Sequence, residues 1–276
     1  MSEIPASEEL GIEVYPCTQR LLDEAVRSAD LPLVITTYQR DDGLPASFRP
    51  ASKDEKYHEI NVNTLWASRS GPGLTNYFVA HEATHAIRDF AVPREKWRFV
   101  TCRDDDNDIL KWGRDSALEA VRKGLFGNIE SAIDHLFEWE RVMTCNLSGP
   151  EDIEVDRYVW QSCPELREAQ TKLYLDVQKD MDNLLNGNSP YWEPLTSILC
   201  ATCYPLSWTA GALTGKKLTR GFYNHPDAFK AGKELLSIVQ DREPGPIGSI
   251  EASEKWIKVL GLENLFVLVT PDDLVA

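Results

Sequence analysis

Residues 74–90 read LTNYFVAHEATHAIRDF, and His81, Glu82 and His85 lie in the middle of that stretch. The pattern predicts a helix, with Thr75 or Asn76 as cap residues and Pro93 just beyond its end. His81 and His85 stand four apart, so a helix places both imidazoles on one face, about one turn apart. Two nitrogens on one face suit a single tetrahedral zinc ion. The neighbours Phe78, Val79, Ala80, Ala83, Ala86 and Ile87 are apolar, which predicts a largely buried helix. Two polar rings there are costly without a partner such as a metal. The chain has five histidines, His58, His81, His85, His135 and His225, and two fall in this pattern. Glu82, beside the first ligand, is placed to take a proton from a water that a metal activates.

Outward from this helix, residues 17–29 have apolar positions at helical spacing. Residues 32–39 are rich in β-branched side chains, and 57–65 alternate polar with apolar, so both read as strands. Between them, Gly43, Pro45 and Pro50 mark a loop, and the RSGPG run at 69–73 breaks the pattern before the helix. Beyond residue 110 the chain reads as nearly all helix, at 115–124, 129–144, 151–184, 193–203, 206–214, 226–240 and 251–261. The breakers are the Asn-Gly-Asn run at 186–188 and the Gly-Pro-Ile-Gly run at 245–248. The expected fold is α+β: a small mixed or antiparallel sheet packed on the helix of 74–90, followed by a predominantly helical region. The expected domains are a core at 1–160 and a helical extension at 161–276.

A zinc ion needs a third protein ligand. The residues after His85, Ala86 to Ala91, contain no histidine, which excludes the metzincin pattern. The order of a strand (Glu59-Ile60-Asn61-Val62-Asn63), a short loop and a helix with HEATH resembles the catalytic core of the gluzincin metalloproteases. The smaller members, minigluzincins and ImmA/IrrE-like proteases, are the most similar in style, over roughly residues 30–160. The resemblance implies a zinc metallopeptidase with Glu82 as general base. It also implies that the strand before the helix is an edge strand and that the substrate peptide pairs along 58–63. Its third ligand is a glutamate on a later helix, in an ExxxD pattern whose acid supports a ligand histidine.

The matching stretch is Glu151-Asp152-Ile153-Glu154-Val155-Asp156-Arg157-Tyr158, with Pro150 suited to a first helical turn. The four-residue register pairs Asp152 with Asp156, and 154–158 resembles the EADRF-type run of the ImmA/IrrE-like proteins. The family's preference for the longer carboxylate points instead to Glu151. The ligand is therefore Asp152 or Glu151, with the register favouring Asp152, and Asp156 supports a histidine from behind. Tyr158, Arg157, His135 and His225 are candidate oxyanion donors. Tyr158 lies close in sequence to the ligand acids.

The formal net charge of −15 argues against nucleic acid and anionic membrane surfaces as partners. The amino terminus has no basic region followed by an apolar run, and six scattered cysteines fit a reducing compartment, so a cytoplasmic location is expected. Residues 195–215 carry no charge but are too polar and too broken to span a membrane. They read as a buried helix, a turn near Pro205 and a second helix. Cys200 and Cys203 form a CxxC without a redox context, read as buried small residues. The 103–108 run fails the calcium-loop pattern and reads as an acidic loop. The eight tryptophans read as core residues. The expected activity is hydrolysis of a peptide or protein with one Zn2+. Alternatives are a zinc hydrolase of a non-peptide amide and a regulatory protein that keeps the fold with little catalysis.

Overall fold

The computed structural model describes residues 13–41, 44–103, 106–187, 193 and 195–273. It is α+β and mostly helical, with a three-stranded and a two-stranded sheet. The chain divides into two compact units that interleave in sequence. The first takes 1–97, 151–174 and 270–276, and the second takes 98–150 and 175–269. The boundary expected at residue 160 falls inside a helix (Gly149–Ser162).

The first unit begins with α1 (Pro16–Ser28), whose Cys17, Leu21, Leu22 and Ala25 form one buried face. Strands β1 (Leu33–Tyr38), β2 (Ala46–Arg49) and β3 (His58–Asn63) follow. Their order is β1-β3-β2, with β1 parallel and β2 antiparallel to β3. β3 is thus the central strand, which corrects the expectation that 58–63 is an edge strand free to pair with a peptide. The reason is β2, four residues between Pro45 and Pro50 that read locally as loop. Pairing with β3 makes them a strand, and Arg49 reaches across to Glu59, which its register sets opposite (2.8 Å).

A short helix α2 (Thr64–Ser70), capped by the Asn63 side chain, leads to α3 (Pro72–Phe90), the helix of the HEATH motif. Gly71 separates them at φ 82°, a conformation that costs glycine little, and Pro72 suits the first helical turn. Thr75 and Asn76 are therefore inside α3 rather than at its cap. Asn76 is buried, accepts from Tyr15 N–H and donates to the Glu13 and Pro72 carbonyls. The apolar faces of α1, the sheet and α3 share one core with Val155, Val159, Cys163 and Leu166. The last four lie on or just after α6 (Gly149–Ser162), so the two helices that carry the site residues are fixed by a common core.

The second unit holds β4 (Phe99–Cys102), α4 (Asp106–Arg122), α5 (Ile129–Leu147), α8 (Leu195–Thr214), α9 (Pro226–Asp241), α10 (Pro246–Val259) and β5 (Phe266–Val269), with β4 and β5 antiparallel. The helix expected at 151–184 breaks into α6 and α7 (Arg167–Leu185), because Pro164 cannot donate a hydrogen bond to an interior turn. Conversely, the two helices expected around Pro205 are one, α8, with Pro205 inside. Of the acidic run, Asp104 and Asp105 lie outside the described residues, and α4 begins at Asp106. Trp139 and Trp256 are fully buried, and their indole N–H groups donate to Leu195 O and Leu235 O. Trp208 departs from the expected pattern, being 36% exposed. Among the described residues no helix is long and apolar enough to cross a membrane.

Candidate metal centre

α3 presents His81 and His85 on one face, and α6 places Asp152 against them. His81 Nε2 and His85 Nε2 are 3.1 Å apart. Asp152 Oδ1 is 3.1 Å from His85 Nε2 and 3.6 Å from His81 Nε2. These are the residues among those described whose donor atoms converge enough to hold a metal ion. Ligand atoms about 2.0–2.1 Å from a tetrahedral zinc stand about 3.3 Å from one another. The three separations here straddle that figure, so the donor set is spaced to hold a metal ion.

The proton on His81 is fixed from behind. Its Nδ1 donates to Asp156 Oδ1 at 3.1 Å, so Nε2 is the ring nitrogen that faces the cluster and would ligate a metal once its proton is lost. Asp156 is itself held: Tyr77 O–H donates to Oδ1 at 2.5 Å and Tyr174 O–H donates to Oδ2 at 2.8 Å. Gln170 Nε2 donates to the Asp156 carbonyl and to the Tyr174 hydroxyl. Asp156 is 9% exposed, so these bonds stand in for the water a buried carboxylate loses.

Electrostatics follow the same contacts. Burial pulls the His81 and His85 pKa values down, but hydrogen bonds to Asp152 outweigh it, joined at His81 by Asp156. Both stand above the ordinary histidine range. For Asp152 burial raises the pKa, and the contacts with both histidines reverse that and hold it well below the usual carboxylate range. Asp89, one turn past His85, is pushed up to about 7 by burial and by the charge of Glu151.

The remaining acids separate cleanly. Glu151 is outside the cluster and paired with Arg88, whose Nη2 donates to Glu151 Oε2 at 3.2 Å. The choice the sequence left open thus falls to Asp152. Glu82 Oε2 accepts from the main-chain N–H of Phe48 in β2 at 2.6 Å. Tyr158 does not join the cluster. Six residues beyond Asp152, it stands about 120° around α6 and is exposed, whereas Asp156 is only about 40° away. Arg157 pairs with Glu154 on its own helix, and His135 and His225 belong to the second unit. Residues 58–63 lie between two other strands, so β2 is the strand whose main chain reaches Glu82.

Sequence reasoning missed Tyr77, Tyr174 and Phe48. Tyr77 carried a usable signal, lying four residues before His81 on the same helical face. Tyr174, on a helix eighteen residues beyond Asp156, carried none. Cys200 and Cys203 sit on α8 with thiols pushed up to about 12, chiefly by burial, which disfavours the reactive thiolate. Comparison with protein-family models, with curated proteins and with solved structures finds no match.

Proposed function

We propose that the protein is a zinc-dependent metallopeptidase in which His81, His85 and Asp152 hold one zinc ion and Glu82 is the general base. The observation that carries this reading is the convergence of His81 Nε2, His85 Nε2 and Asp152 Oδ1, with Asp156 bonded to His81 Nδ1. Bound there, zinc would supply Lewis acidity, bringing the pKa of water near neutrality and polarising an amide carbonyl. Glu82, adjacent to His81, takes the proton from the attacking water and passes it to the leaving amine. The Phe48 N–H fixes the direction of that carboxylate. Asp156 keeps His81 in the tautomer that ligates and steadies its ring.

The substrate strand is reassigned from 58–63 to β2. Among the described residues β2 has β3 on one side only, and Phe48 links it to Glu82. A peptide added along its open side gains main-chain hydrogen bonds next to the general base.

The test is elemental analysis of metal-replete protein together with a peptide-cleavage assay. One zinc per chain is expected in the parent and in Glu82→Gln, and none in His81→Ala. Asp152→Ala should lose the metal and Glu151→Ala should keep it. Cleavage by the parent, with a loss of about 10²–10⁴-fold in Glu82→Gln, marks a peptidase rather than a binding protein. A metal-replete parent without zinc overturns the reading.

A further inference from the structure

The second unit contains a cavity of about 680 Å³ formed where the end of α8 meets the segment after it. Its volume lies within the range of about 300–1,000 Å³ usual for small-molecule sites. Its wall is unlike the rest of the chain. Lys216, Lys217 and Arg220 line it, and no aspartate or glutamate does, in a chain whose acids outnumber its Lys and Arg by 44 to 29. None of the three cations forms an ion pair with a described residue. Two aromatic rings line the same cavity and remain open to solvent, Trp208 at 36% and Tyr223 at 61% exposure.

The carboxyl end of a helix favours positive charge, and α8 ends at Thr214, which accounts for a lysine nearby. It does not account for Arg220, six residues past the helix end, or for two exposed rings on the same wall. Exposed aromatic surface is costly, and rings beside concentrated cations match a ligand with a flat face and an anionic end. Such rings can stack on a base while Lys and Arg hold phosphate oxygens. Ser207 and Thr219, also in the wall, offer hydroxyls for a sugar or phosphate.

We propose that the cavity lined by Trp208, Lys216, Lys217, Arg220 and Tyr223 is a binding site for a small anionic ligand with an aromatic ring, of the class of a nucleoside diphosphate. Its residues belong to the second unit and those of the metal cluster to the first, and the proposal stands or falls independently of the peptidase reading.

Titration calorimetry with ADP as the probe tests it, in low-salt buffer, with adenosine and inorganic phosphate titrated separately. Saturable binding of ADP to the parent is expected, at least tenfold tighter than either fragment. Lys216→Glu/Lys217→Glu/Arg220→Glu should weaken ADP at least tenfold. Trp208→Ala should weaken it about five- to hundredfold, the range for loss of one stacking platform. His81→Ala should leave it unchanged. Circular dichroism checks that each variant is folded, and the single Arg220→Gln replaces the triple variant if that one is not. Absence of saturable ADP binding overturns the proposal. So does binding that is indifferent to the Arg220 and Trp208 changes, phosphate alone binding as tightly as ADP, or loss of ADP binding in His81→Ala.

Discussion

Asp156 receives hydrogen bonds from Tyr77, His81 and Tyr174, so a carboxylate that would otherwise be costly to bury becomes a fixed support for one imidazole. Losing either tyrosine hydroxyl frees Asp156 to turn away from His81 Nδ1. Tyr77→Phe and Tyr174→Phe are each expected to weaken zinc binding about tenfold, read by competition with a chelating dye, while the fold is kept. A second buried histidine works in the opposite sense. His58 Nδ1 accepts from Ala51 N–H at 3.0 Å and Nε2 contacts Asp30 at 2.9 Å, so the ring is neutral with its proton on Nε2. Burial outweighs Asp30 and lowers the His58 pKa below 6.5. A lowered folded pKa contributes stability that is present above the unfolded value and lost as pH falls through the folded one. In urea unfolding with chelator present, His58→Leu should be about 1–3 kcal/mol less stable than the parent at pH 8. The gap should narrow as pH falls below 6.5, and a gap independent of pH would refute this reading. His81, Glu82 and His85 were legible in the sequence because one helix supplies all three at a fixed spacing. Asp152 was legible only down to a pair of neighbouring acids, because the choice depends on which face α6 turns toward α3.

At the scale of elements, the sequence misled where a breaker was tolerated or where a partner strand was needed. Pro205 does not end α8. Proline removes one donor, and the carbonyl four residues back is Ala201 O, which lies beside Gly232 of α9. A methyl on Gly232 would come within 2.5 Å of Tyr204 Cβ and 3.1 Å of Ala201 O. The close approach of α9 thus relies on the missing side chain. Gly232→Ala is expected to destabilise the protein by about 1–3 kcal/mol in denaturant unfolding, without loss of zinc, because overpacking forces the helices apart. Pro164 does end its helix, so proline alone did not decide the outcome; the surroundings did. β2 shows the converse failure. Four residues between prolines have too little pattern to read as a strand, yet pairing with β3 makes them the strand that reaches Glu82.

At the scale of the molecule, three donor atoms drawn from α3 and α6 link residues far apart in sequence, so a bound ion stabilises the folded chain. At a free zinc concentration of about 100 times Kd the gain is about 2.7 kcal/mol. The melting temperature should rise by several degrees on zinc addition and return on chelation, with no shift in His81→Ala. The chain carries 44 acids against 29 Lys and Arg, whereas the cavity at the end of α8 is lined by Lys216, Lys217 and Arg220 and by no acid. The sequence by itself determined the α+β class, the HEATH helix, its two histidines and the glutamate between them, and the segment that supplies the acid. Each of these rests on spacing within one element, which local backbone geometry fixes. Only the tertiary structure decided that Asp152 rather than Glu151 faces the histidines, that β3 is central and β2 the open edge, that Tyr158 points away, and that Tyr77 and Tyr174 hold Asp156. Those depend on which faces of separate elements meet, and a shared core sets that, not any local pattern.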